Sequence, residues 1–283
     1  MAKLTVFEAI DQHYPKLSKT HKRIAQYFRE HFDKAVFMTA RSLANELDTS
    51  ESTVVRFATT LGYDGYPDFH QHLRNNITSI MTTQQRLDTK TRPTSLDQAI
   101  KDSFTRDISD IRKTLENADF SALKAVAETI MDAKRVFILA KRSSRVLAEY
   151  LNVYLNYFHE DVKNFHLQMG DYFDQFINLT ENDVVIVMSF PRYSNLTIEI
   201  VDLLKTRGVK VCALTDAYDS PIVSKADISI YAPYSIDSFI DSYVAPMALI
   251  NALITTISHE HLEIAKEKIE ELEDIWKAFN VYY

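Results

Sequence analysis

Between residues 135 and 231 the chain places five short runs rich in β-branched residues: Arg135 to Ala140 (RVFILA), Asp161 to His166 (DVKNFH), Asp183 to Ser189 (DVVIVMS), Val209 to Thr215 (VKVCALT) and Asp227 to Tyr231 (DISIY). Four of them are nearly continuous in apolar side chains. A strand covered on one face alternates apolar with polar residues, whereas a strand covered on both faces reads as an unbroken apolar run. Stretches of helical length separate the runs and supply the crossovers that parallel strands require. The pattern predicts a doubly wound, five-stranded parallel α/β sheet, with the more polar second run at or near an edge. The later helical stretch from about Phe239 to Ser258 is apolar on most of its surface and fits either core or a subunit interface.

The same chain holds only four glycines, Gly62, Gly65, Gly170 and Gly208. They are too scattered for a G-x-G-x-x-G fingerprint or a Walker loop, which makes the common nucleotide-dependent enzymes poor candidates. The single cysteine, Cys212, rules out an intrachain disulfide or a multi-cysteine metal site and reads as a buried strand residue. His70 and His72, like His259 and His261, are two apart and fall on different faces of a helix, so no metal site and no cofactor are expected. Glu8 and Asp11 stand where a signal peptide needs apolar residues, and the uncharged stretch Ser242 to Ser258 is short and holds Asn251, Thr255 and Thr256. No membrane partner is expected, and the expected location is the cytoplasm.

The formal net charge is −7, but it is unevenly spread. Residues 1 to 92 hold 13 Lys and Arg against 10 Asp and Glu, and the rest hold 19 against 29. A small module suited to a polyanion thus precedes a larger acidic one. The segment Ser79 to Ser95, rich in Thr, poor in apolar residues and including Pro93, marks the boundary. The expected organisation is a helix-turn-helix domain over 1–78, a linker and connecting helix over 79–116, an α/β domain over 117–260, and a C-terminal helix over 261–283.

Before the boundary, apolar residues recur at helical spacing (Ile24, Tyr27, Phe28; Leu43, Ala44, Leu47; Val54, Phe57, Ala58, Leu61), which predicts an all-helical module. From Thr39 to Leu61 the sequence reads TARSLANELDTSESTVVRFATTL. A helix to about Leu47 is followed by a break at Asp48 and Thr49 and by a second helix that Ser50 can cap. With Val54, Phe57, Ala58 and Leu61 turned inward, Ser52, Thr53, Arg56 and Thr60 face solvent with groups suited to base edges and phosphates. A helical hairpin with a solvated polar face is the plainer alternative. The pieces Leu43 to Leu47, Ser50 to Phe57, Leu61-Gly62-Tyr63, and Gly65-Tyr66 through Asp68-Phe69 resemble the N-terminal DNA-binding domain of the RpiR family of bacterial transcriptional regulators. The resemblance covers most of residues 4 to 78. It implies operator DNA as a partner, with Ser50, Ser52, Thr53 and Arg56 as candidate contacts and Gly62 ending the recognition helix.

In an open parallel sheet, ligands lie outside the carboxyl ends of the strands. The loops there read Ala140-Lys141-Arg142-Ser143-Ser144, Ser189-Phe190-Pro191-Arg192-Tyr193-Ser194-Asn195, and Thr215-Asp216-Ala217-Tyr218-Asp219-Ser220. Hydroxyls beside helix starts favour an anion, although Ser and Asn are also ordinary caps. Ser143, Ser144, Ser194 and Thr197 supply hydrogen bonds, and Arg142 or Arg192 a fixed charge, a chemistry that fits a phosphorylated or carboxylated sugar. The strand order, the two serine-bearing loops and the segment DxSPIVSKADISI resemble the SIS (sugar isomerase) domain that follows the helix-turn-helix in RpiR regulators, over roughly Asn117 to Glu260. That resemblance implies that Ser143 and Ser144 after the first strand, and Ser189 and Ser194 at and after the end of the third, hold the phosphate of a sugar phosphate. AKRSS and SFPRYSN depart from the usual glycine-containing first loop and short third loop, Pro191 adding stiffness and Arg192 charge.

Glu149 and Glu199 lie where an isomerase places a base, but no acid–base pair assembles around them, and catalysis is not expected. The resulting expectation is a DNA-binding regulator that senses a phosphorylated sugar. Since one helix-turn-helix contacts too little DNA for tight binding, at least a homodimer is expected. The alternatives are a sugar-phosphate isomerase or related SIS enzyme with an accessory helical domain, and an architectural DNA-binding protein whose SIS domain only oligomerises.

Overall fold

The computed structural model describes residues 6–36, 38–80, 95–165, 172–234 and 241–282. Pro93, His166, Gly170, Phe239 and most of the Ser79 to Ser95 segment lie outside the described residues. The chain divides into an N-terminal unit ending at Arg92 and a C-terminal unit beginning at Pro93.

The N-terminal unit consists of α1 (Val6–His13), α2 (Lys19–Glu30), α3 (Phe32–Ala35), α4 (Ala40–Glu46), α5 (Glu51–Thr60) and α6 (Gly65–Ile80). Its core gathers Phe28, Phe57 and Phe69, one from each of three helices. Phe28 and Phe57 stack with centroids 6.2 Å apart, and Phe69 meets them edge-on at 5.2 and 5.8 Å. Two hydroxyl caps start the central pair of helices: Thr39 accepts from Ser42 N and Ser50 from Thr53 N. Between them Asp48 takes a left-handed conformation (φ 44), a region Asp tolerates better than most residues. The turn is tied by Thr49 N to Ala44 O at 2.9 Å, and the Arg23 guanidinium donates to Leu47 O at the end of α4. Just past α5, Gly62 has φ +93, so glycine ends this helix for a steric reason.

The C-terminal unit opens with α7 (Leu96–Asn117) and α8 (Phe120–Met131), followed by β1 (Arg135–Ala140), α9 (Arg145–Leu155), β2 (Val162–Asn164), β3 (Asp183–Met188), α10 (Asn195–Thr206), β4 (Lys210–Thr215), β5 (Ile228–Tyr231), α11 (Val244–Glu260) and α12 (Leu262–Ala278). The strands form one parallel sheet in the order β2-β1-β3-β4-β5. The apolar runs are continuous because alternate residues enter two cores. Val136, Ile138, Val184, Ile186 and Cys212 pack with Leu123, Leu147, Leu151 and Leu253 from α8, α9 and α11. Phe137, Leu139, Val185, Val187 and Val211 pack with Ile200, Val201 and Leu204 of α10. The doubly wound parallel sheet expected from the sequence is the fold observed. The polar second run is the edge strand β2, and α11 contributes Leu249, Ile250, Leu253 and Ile257 to the core. None of the helices among the described residues is long and apolar enough to cross a membrane.

One ion pair ties the starts of the two central strands. Arg135 and Asp183 are register partners, and the buried Asp183 carboxylate accepts from Arg135 Nε (2.8 Å) and Nη2 (2.7 Å) and from Thr180 N (2.7 Å). Burial alone would raise this carboxyl; the Arg135 guanidinium and the Thr180 donors outweigh it and hold the pKa below the usual range. The stabilisation is therefore present above the unfolded carboxylate pKa of about 3.9 and is lost as the pH falls through the lower folded value. Asp183→Ala removes the buried acceptor of Arg135 and of Thr180 N and is expected to cost about 1–3 kcal/mol at pH 7. Urea denaturation checks this, and a loss under 1 kcal/mol would mean that the strands hold their register without the pair.

Candidate DNA-reading helix and anion-binding loops

Helix α5 divides as its sequence pattern requires. Val54, Phe57 and Ala58 are buried, while Ser52, Arg56 and Thr60 are exposed and Thr53 is half-buried. The Ser50 hydroxyl is occupied at the cap, 2.7 Å from Thr53 Oγ1 and 2.9 Å from Ser52 Oγ. Arg56 Nε donates to Ser52 O at 3.3 Å, which lays the guanidinium along the outer face near the start of the helix. Ser50, Ser52, Thr53 and Arg56 thus lie together over the first turn and a half, where the N-terminal end of a helix favours phosphate.

At the far end of the sheet, Ala140 pairs with Met188 and Met188 with Leu214, so the loops that follow β1, β3 and β4 leave from adjacent positions. The strand order reverses between β1 and β3, and the crevice at such a point is where open α/β sheets take their ligands. Both flanking loops contain an arginine in the left-handed region, Arg142 (φ 58) and Arg192 (φ 49). A non-glycine residue there costs about 1–2 kcal/mol and persists only where its surroundings determine it. Each bend therefore sets an exposed cation at the crevice.

The hydroxyls have different surroundings. Ser143 is exposed, 3.2 Å from Asp241 Oδ2 and 3.0 Å from the Tyr243 hydroxyl. Ser144 is buried and donates to Lys141 O at 2.8 Å, inside its own turn. Ser189 is buried; its N–H donates to Leu214 O and its carbonyl accepts from Thr215 Oγ1 at 2.6 Å. Ser194 is the N-cap residue of α10, yet its side chain makes no cap bond, and Thr197 is buried one turn on. Of the candidate residues, Arg142, Ser143 and Arg192 are exposed and Ser194 is half-buried, whereas Ser144, Ser189 and Thr197 are buried.

A fourth element was not legible among the loops singled out by sequence. Asp241 and Tyr243 precede α11, about a hundred residues beyond Ser143, and Tyr234 follows β5. The Tyr234 hydroxyl bonds Asp241, and the Tyr234, Tyr243 and Phe190 rings cluster with centroids 5.4 to 6.0 Å apart. The loop after β5 obeys the same carboxyl-end rule as the others, which is the signal that would have found it. Between the loops that follow β3 and β4, Tyr193 donates to Asp216 Oδ1 at 2.8 Å. Burial pushes the Asp216 carboxyl up to about 6, against the hydrogen bonds from Tyr193 and Thr215.

Two domain matches cover most of the chain: a helix-turn-helix domain of the rpiR family over residues 4–79 and an SIS domain over residues 129–256. An HTH-type transcriptional regulator of Haemophilus influenzae is 26% identical over 78% of this chain and 77% of its own. The Escherichia coli regulator HexR is 22% identical over 95% of both chains. The sugar isomerase domain of an RpiR transcription factor from Sphaerobacter thermophilus superposes with TM-score 0.58 at 27% identity, covering 60% of this chain and 96% of that one. Over 97% of this chain and 98% of that one, the fold is also that of Vibrio vulnificus NanR, solved with ManNAc-6P (TM-score 0.59, 18% identity). A helical DNA-binding module joined to a doubly wound domain with anion-suited loops defines a one-component transcriptional regulator. The chain belongs to the RpiR family of these regulators, with an SIS domain as its C-terminal module.

Asp216 yields a test of the loop electrostatics. Its folded pKa lies above the unfolded value, so its favourable contribution is complete below about pH 4 and is lost as the pH rises through about 6. Asp216→Asn keeps an acceptor for Tyr193 and is expected to be more stable than the parent above pH 6, with the gain shrinking towards pH 4. Melting temperatures across that range decide it, and a gain independent of pH would remove the buried charge as its cause.

Proposed function

We propose that this regulator binds operator DNA through α5 and senses a phosphorylated sugar at the β1/β3 crevice, acting as a homodimer in the cytoplasm. Residues 1–78 read DNA, 79–116 connect, 117–260 bind the effector, and 261–283 form a C-terminal helix. Ser52, Thr53 and Arg56 face the groove and Ser50 sets the first turn. Arg142, Ser143, Arg192 and Ser194 meet the phosphate, supported from below by Ser144, Ser189 and Thr197. The bound phosphosugar of NanR supports this choice of ligand class. Binding rather than catalysis is favoured because Glu149 and Glu199 are both exposed on their helices and the relatives cited are regulators.

The single observation that carries the reading is the contact of Ser143 with Asp241. A carboxylate of the chain itself stands 3.2 Å from the Ser143 hydroxyl, at the place where the ligand's phosphate is needed. Two anions cannot share that hydroxyl without strong repulsion, so an arriving phosphate displaces Asp241. The next residue, Ser242, donates to Asp107 of α7 at 2.6 Å, and α7 is the helix to which residues 81–94 join the DNA-binding unit. The effector thus acts on the connecting helix by binding one arrangement more tightly than the other.

Two measurements test the reading. A thermal-shift screen with sugar phosphates and their dephosphorylated analogues should stabilise the protein only with the former, by about 2.7 kcal/mol at a hundred times the Kd. With the ligand so found, calorimetry should show Ser143→Ala losing about 1.5–3 kcal/mol of affinity. Equal affinities for parent and variant would move the ligand elsewhere. In a gel shift at fixed salt, Arg56→Ala should weaken operator binding by about 1–3 kcal/mol without loss of fold, and unchanged binding would take Arg56 out of the interface.

A further inference from the structure

Helix α7 has the polarity of a helix that expects a second partner. It packs on α11, and the residues it buries are Asp110 and Thr114. Its large apolar side chains, Leu96, Ile100, Phe104, Ile108, Ile111 and Leu115, stand 36 to 75% exposed. At 100° per residue these six fall within an arc of about 120°. From Phe104 onward they follow the alternating four-and-three spacing of a seam between helices. They leave on the order of 600 Å² of side chain open, at the upper limit for a monomer's largest patch and close to the ~800 Å² per partner of a standard interface.

Among the described residues of the N-terminal unit no large apolar side chain is exposed, and residues 81–94 (MTTQQRLDTKTRPT) contain only Met81 and Leu87 as large apolar groups. A lipid surface fits poorly, since interfacial helices hold anionic lipid through Lys and Arg and everything after Arg92 is acidic, 29 Asp and Glu against 19 Lys and Arg. A second copy presents the same row, and α7 mixes both signs of charge beside it (Asp97, Lys101, Asp102, Arg112, Glu116), which suits self-pairing. We propose that α7 is a dimer seam, covered by α7 of a second copy of this chain about a two-fold axis. The inference deepens the reading above, which requires two copies on the operator, and places their contact on the helix to which Ser242 and Asp241 connect the effector crevice.

The test is sedimentation equilibrium on the full chain and on Phe104→Asp/Ile108→Asp, with Ile108→Asp alone as a milder variant. Both positions are exposed, so helical circular dichroism and the melting transition should persist. The parent is expected to dimerise at micromolar concentration, and the variants' dimer dissociation constant to rise at least a hundredfold. A parent that stays monomeric, or folded variants that dimerise as tightly as the parent, would overturn the proposal. Thermal shifts of the same variants with a panel of hexose 6-phosphates report separately on the effector reading. Loss of the dimer supports the seam whether or not a phosphosugar binds.

Discussion

The burial of both faces of one parallel sheet is the constraint on which the rest of this regulator depends. Because the side chains of a strand alternate, β1, β3 and β4 are almost entirely apolar on both faces beyond their charged first residues, feeding the two cores, and a slip by one residue would exchange the two sets. The register is marked at its start by Arg135 against Asp183, whose buried carboxylate is satisfied by its partner and the Thr180 donors. From this register follows the position of the strand ends, and from those the adjacency of the loops that begin at Lys141 and Ser189.

The loops themselves are irregular where the sheet is regular. Arg142 and Arg192 sit in a backbone region that arginine disfavours, and in each case the chain turns at once into a helix. An arginine in place of a glycine gives up conformational ease and places a cation at the crevice. Beside the first of these bends, Asp241 and Tyr243 engage Ser143, and Tyr234 bonds Asp241. The Ser143 hydroxyl is thus engaged by a carboxylate of the chain itself at the carboxyl end of the sheet. A short path runs from Asp241 through Ser242 to Asp107 of α7.

The N-terminal unit shows the same dependence of function on a small number of physical requirements. Three phenylalanines from α2, α5 and α6 fill its core and leave the outer face of α5 no packing duty. That face consequently holds hydroxyls and one guanidinium. The turn before it needs a left-handed residue, supplied by Asp48, and the end of α5 needs another, supplied by Gly62.

The sequence by itself determined the division into a helical and an α/β module, the five strands with β2 at the edge, the cap at Ser50 and the inward and outward faces of α5. These features rest on local chemistry: side-chain periodicity, helix capping and glycine at a positive φ. The tertiary structure decided which members of the serine loops are open and which lie beneath, because Ser143 and Ser144 are adjacent in sequence but only one of them is turned into its own loop. It also decided that Asp241 and Tyr243 belong to the crevice and that the apolar row of α7 stays outside the core. No local pattern encodes these outcomes, since they arise where segments far apart in the chain meet at the carboxyl ends of the sheet, and a periodicity records that a face is apolar without recording what covers it.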